Sequence, residues 1–148
     1  CPFCARLEPH IVAAEAQFDG RVKVTWMDYP LVDIHPNALE AAQAGREAAA
    51  QGKFTAFRDV AMVNQDKLHR AGLLELGERA GLDVKKLDKA LQSGKWKKDV
   101  EASIQIAKGL GLKGTPSVFI NGHAFSPQMG FSANTFAMAI SRLLRARE

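Results

Sequence analysis

Cys1-Pro2-Phe3-Cys4 opens the chain and holds both of its cysteines, and the residues after it carry a helical pattern. Two thiols separated by two residues can form a dithiol/disulfide couple. With Cys1 near a helix N-cap, the unpartnered amides of the first turn and the positive end of the helix dipole favour thiolate over thiol. The thiolate is the attacking species in disulfide exchange, and Cys4 lies one turn on, placed to resolve a mixed disulfide. Pro2 suits the first turn, where a missing N–H costs nothing. A zinc site needs four ligands, but there is no second cysteine pair, and His10, His35, His69 and His123 are scattered; no metal is expected. A purely structural bridge over so short a loop would constrain the unfolded chain little. Redox chemistry is the reading that uses both sulfurs.

The 148 residues suffice for one compact domain, and 47% hydrophobic with 24% charged residues is a globular composition. The net charge of +4 is modest. Lys85, Lys86, Lys89, Lys95, Lys97 and Lys98 surround Trp96, which reads as a solvated helical face with the indole turned inward; no nucleic-acid partner is expected. No apolar run approaches the roughly 20 residues of a membrane span.

Leu7, Ile11, Ala14 and Phe18 predict an amphipathic helix over 2–18, with a kink at Pro9, which has no N–H to offer the Ala5 carbonyl. Val22, Val24 and Trp26 alternate with polar neighbours and predict a strand. From 33 to 110 only helices are expected, broken near Gly52, at Gly81-Leu82-Asp83 and at Ser93-Gly94, with Asp83 as an N-cap. Ser117–Ile120, Asn121-Gly122 and His123–Phe125 predict a β-hairpin, and Ser132 a cap for a last helix.

The order helix, strand, helical block, hairpin, helix, read with its motifs, resembles the DsbA-like branch of the thioredoxin superfamily. The resemblance rests on Cys1-Pro2-Phe3-Cys4 with Pro9 five residues after the second cysteine, and on Asp28-Tyr29-Pro30-Leu31 before His35-Pro36-Asn37-Ala38. Gly52-Lys53-Phe54, Asn64-Gln65 and above all the segment from Gly111 to Gly122, Gly-Leu-Lys-Gly-Thr-Pro-Ser-Val-Phe-Ile-Asn-Gly, complete it. It implies an α/β thioredoxin-like fold, residues 1–32 and 111–148, with an inserted helical subdomain, residues 33–110, in one domain of 1–148. The first strand, which in this family precedes the CxxC, is missing from this chain, so the sheet is expected to lack a central member and the native protein to continue upstream. Any acidic proton relay carried by that strand is missing with it, and a charged α-amine on Cys1 would disturb the thiol.

The resemblance further implies a cis Thr115–Pro116 bond, with Thr115 and Pro116 binding an extended substrate segment beside the sulfurs. Cys1 is expected to be the exposed nucleophile and Cys4 the buried resolving thiol, with Pro2 and Phe3 tuning them. Phe3 adds no positive charge, so thiolate stabilisation is expected to rest on the helix N-terminus alone. That places the Cys1 pKa below ~8.5 but above the ~3.5 of DsbA. The expected function is thiol–disulfide exchange with protein cysteines, most simply as a disulfide-donating oxidase. A reductase or isomerase, or a binding or chaperone-like domain with a vestigial CxxC, are the alternatives. No cofactor is expected beyond the Cys1–Cys4 disulfide. The implied partners are cysteine-containing unfolded or folding proteins and a quinone-linked or thioredoxin-like recycling protein. The implied location is extracytoplasmic, in a bacterial periplasm or cell envelope.

Overall fold

The computed structural model describes residues 1–146; the last two positions of the expected 111–148 segment lie outside the described residues. In chain order the elements are α1 (Pro2–Glu15), α2 (Ala38–Ala50), α3 (Phe54–Met62), α4 (Arg70–Arg79), α5 (Val84–Ser93), α6 (Lys97–Gly109), β1 (Phe119–Ile120), β2 (His123–Ala124) and α7 (Ala133–Arg145). The chain divides into two compact units. One is Cys1–Trp26 together with the chain from Thr115 onward, and the other is Met27–Gly114.

In the first unit α1 packs on α7. Leu7 and Ala14 of α1, Phe136 of α7 and Phe125 after the hairpin are buried together, with Ile11, Val118, Ile120 and Phe131 against them. The rings of Phe125 and Phe136 are 4.6 Å apart, centroid to centroid, and tilted, a geometry that aromatic pairs favour beyond simple area burial. The hairpin pairs Phe119 with Ala124 and Ile120 with His123. Asn121 and Gly122 both take positive φ (49° and 83°), as the two-residue turn requires. At the start of α7 the Ser132 hydroxyl accepts from the Thr135 amide and the Thr135 hydroxyl accepts from the Ser132 amide, a reciprocal capping box.

The strand expected over 22–27 is corrected by the structure. Val22, Val24 and Trp26 are half-buried and Arg21, Lys23 and Thr25 exposed, so the period-two pattern is real. A strand, however, needs a neighbour to share its ladder, and among the described residues the only ladder joins β1 to β2. The Val24 amide donates to the Glu15 carboxylate at 3.3 Å, a side-chain bond where a ladder bond would sit. Pro9 lies inside α1, as expected of a helix running over 2–18, and the helix continues to Glu15 before tightening into a 3₁₀ turn at Ala16–Phe18.

The second unit is helical. Leu73, Leu76, Leu87 and Val100 have fully buried side chains, and Ala44, Ala48 and Phe57 join the first three in one core. Asp83 caps α5 by accepting from the Lys86 amide at 3.0 Å. The turn leading into α4 folds tightly onto that helix where glycine permits. A Cβ on Gly72 would fall 1.9 Å from the Lys67 carbonyl oxygen, so backbone would have to move. Asp28 receives the Arg46 guanidinium at 2.6 Å, and Arg46 also donates to the buried Ser103 hydroxyl at 2.7 Å. Burial pushes the Asp28 carboxyl above its ordinary value, and Arg46 pulls it only partly back.

Trp96 is half-buried rather than fully inward, and its partner is a carboxylate. Its indole N–H donates to Glu47 at 2.7 Å, Lys95 donates to the same oxygen at 2.8 Å, and Gln51 to the other at 3.1 Å. Glu47 is 3% exposed, in the middle of α2. Burial pushes its carboxyl up, but these three bonds outweigh that and hold it below the ordinary 4.5.

Two outcomes follow from this unit. Gly72→Ala is expected to cost about 2–3 kcal/mol in urea unfolding, because the methyl meets backbone rather than a movable side chain. Glu47→Ala should cost ~2–3 kcal/mol, leaving an indole N–H and a lysine without their acceptor. A depressed carboxyl stabilises the fold above its unfolded pKa and loses that contribution as pH falls through the folded one. Stability should therefore fall with acid below pH 4.5 through Glu47, while the raised Asp28 carboxyl works in the opposite sense. Glu47→Gln should flatten the acid-side loss relative to the parent, as measured by urea unfolding across that range; an unchanged slope would show that Glu47 is not its source.

Candidate active site

Cys1 is the N-cap residue of α1, and Pro2 occupies the first turn, where its missing N–H is tolerated. The Cys1 carbonyl accepts from the Cys4 amide at 3.1 Å and the Ala5 amide at 3.3 Å, which closes the first turn. That turn sets the Cys4 side chain one turn along the helix from Cys1. No acidic residue occupies the first turn to offset the positive helix end.

Thr115 comes to this point from the far end of the sequence. The Thr115–Pro116 peptide bond is cis, and the Cys1 thiol donates to the Thr115 carbonyl oxygen, Sγ to O 3.5 Å. The structure thus brings together Cys1, Pro2, Phe3, Cys4 and Thr115, with Pro116 adjoining through its peptide bond. Both cysteines are thiols, and both are half-buried. Burial therefore does not separate an exposed Cys1 from a buried Cys4 as expected; their places on the helix do. Cys1 is at the cap, beside the free amide end of the helix, while Cys4 is already inside the first turn.

One residue near the site escaped the sequence reading. The Arg6 guanidinium carbon lies 4.5 Å from the centroid of the Phe3 ring, so a cation stands over the residue between the two cysteines. The spacing of three along a helix was the available signal.

This geometry defines a dithiol centre at a helix N-terminus facing a cis-proline loop. The family model for thioredoxin matches residues 1–140, and the chain belongs to that family. It is similar to the crystal structure of a thioredoxin-like oxidoreductase from Silicibacter pomeroyi DSS-3, with a TM-score of 0.83 and 25% identity over 98% of this chain and 81% of that one. The fold is thioredoxin-like with a large helical content, and the chain is a member of the thioredoxin superfamily. Among curated proteins it is 33% identical over 122 residues to the Na(+)/H(+) antiporter NhaA 3 of Salinispora tropica, which is 82% of this chain and 19% of that protein. It is 30% identical over 147 residues to NhaA 1 of Salinispora arenicola, 97% of this chain and 22% of that one. The chain thus spans about a fifth of the length of these relatives.

Cys1→Ser is expected to abolish exchange with a small-molecule disulfide. Cys4→Ser should still attack and then accumulate the mixed disulfide at Cys1, visible by mass spectrometry. Accumulation at Cys4 in the Cys1→Ser protein would reverse the two roles.

Proposed function

We propose that the chain is a disulfide-donating oxidase of the DsbA-like kind, acting on cysteines of unfolded or folding proteins. The observation that carries this reading is the place of Cys1 at the N-cap of α1, at the free amide end of the helix. In the oxidised protein a substrate thiolate attacks Cys1 Sγ, the Cys1–Cys4 bond breaks, and Cys4 departs as thiolate. A second substrate thiolate then attacks the substrate sulfur of the mixed disulfide, forming the substrate disulfide and releasing Cys1 as thiolate. The substrate has lost two electrons and the dithiol has gained them.

The amide end of the helix favours thiolate at Cys1 and so favours the reduced dithiol, which makes the disulfide a stronger oxidant. The contact with the Thr115 carbonyl works the other way, since a carbonyl oxygen accepts from a thiol and repels a thiolate. At 3.5 Å to a sulfur donor it is the weaker influence. Thr115 and Pro116 would hold an extended substrate segment beside Cys1, with Pro2 and Phe3 tuning the couple. The Cys1–Cys4 disulfide is the whole redox group in this reading, with no other cofactor. Recycling would fall to a quinone-linked membrane protein or a thioredoxin-like partner, in an extracytoplasmic compartment such as a periplasm. The ion transport named for the antiporter relatives is not assigned to this chain, which matches a fifth of them.

The reduction potential, measured by equilibration with glutathione mixtures, decides the direction. A value toward the ~−120 mV of DsbA is expected, whereas one near the ~−270 mV of thioredoxin would make the protein a reductase.

A further inference from the structure

Along α1, Phe3, Arg6, His10 and Ala13 are exposed and recur at intervals of three and four, forming one solvent-facing stripe that starts beside the dithiol. Phe3 is 59% exposed, a large apolar side chain left in water next to the reacting sulfurs. Arg6 rests over its ring at 4.5 Å, and among the described residues no carboxylate pairs with that guanidinium. Glu8 and Glu15, the acidic residues of α1, fall on other sides of the helix by its periodicity. A guanidinium stacked on a ring keeps its planar N–H edge available, and that edge matches a carboxylate.

We propose that Phe3 and Arg6 together determine substrate specificity, selecting cysteine-bearing peptide segments that carry a carboxylate close to the reacting cysteine. Phe3 offers apolar contact to the segment, and Arg6, held in place by Phe3, pairs with the acidic side chain. Arg6 acts on docking and is not placed at the sulfurs. The proposal rests on the exchange reading above, in which the substrate thiolate forms a bond to Cys1 as the Cys1–Cys4 bond breaks and Cys4 leaves as thiolate.

The test uses the oxidised full chain and two otherwise identical peptides, each with one cysteine, flanked by Glu in one and by Lys in the other. The rate of mixed-disulfide formation is normalised to each peptide's own rate with a small neutral disulfide, which cancels the difference in intrinsic thiol reactivity. At low salt the Glu peptide is expected to react about tenfold faster than the Lys peptide, the ratio shrinking as salt is raised. Arg6→Gln should bring the ratio toward one, and Arg6→Glu should invert it. Phe3→Leu, which keeps the cation but removes the ring that holds it, should lower it. Lys89→Glu on α5, an exposed site with the same change in net charge as Arg6→Glu, should leave it unchanged. Equal normalised rates, or a preference that survives in Arg6→Glu, would overturn the proposal while leaving exchange intact. Failure of both peptides to react, although both react with the small disulfide, would instead overturn the exchange reading itself.

Discussion

The first turn of α1 is the constraint on which the chemistry depends. Cys1 caps the helix with its backbone, since its carbonyl accepts from the Cys4 and Ala5 amides while its sulfur makes no cap bond. The sulfur is thereby left at the positive end of the helix, where it donates to the Thr115 carbonyl. Everything else in that unit fixes this end in space. Leu7 and Ala14 anchor α1 against Phe136 of α7 and Phe125, and Val118 and Ile120 tie the segment after Pro116 to the same cluster. One apolar cluster therefore holds both partners of the sulfur contact, the helix end and the proline loop.

The helical unit is stabilised differently. Its core is mainly aliphatic and close-packed, with Leu87 lying 2.5 Å from where a Cβ on Gly77 would sit. Two carboxylates are nonetheless withdrawn from water in this unit, Glu47 fully and Asp28 in part. Glu47 is compensated by three donors and ends with a depressed carboxyl; Asp28 has one guanidinium and ends with a raised one. The contrast is a matter of counting hydrogen bonds against desolvation. A carboxylate with donors on both oxygens outweighs its burial, and one with a single arginine does not.

Much of this was legible because it is local. Asp83, Asn121-Gly122 and Ser132 each act within three residues of themselves, so cap and turn chemistry located them directly. The CxxC on a helix N-terminus was equally local, and the resemblance supplied its partner Thr115, which spacing alone could not. What was lost was non-local. The 22–26 segment has strand periodicity, yet pairing is decided by a neighbour the segment does not encode. Glu47 sits in an alanine-rich helix that carries no local sign of its burial; its partners Lys95 and Trp96 lie 48 and 49 residues away. The Arg6–Phe3 contact was within reach of a spacing argument, but spacing does not tell which of several neighbours an arginine will choose.

The most direct test of the central claim, that the helix end activates Cys1, is the rate and site of alkylation of the reduced protein as pH is lowered. Iodoacetamide should label Cys1 ahead of Cys4, and should continue to do so well below the ~8.5 at which an ordinary cysteine thiol ionises. Labelling that begins at Cys4, or that reaches both sulfurs only at the pH of a free cysteine, would contradict it.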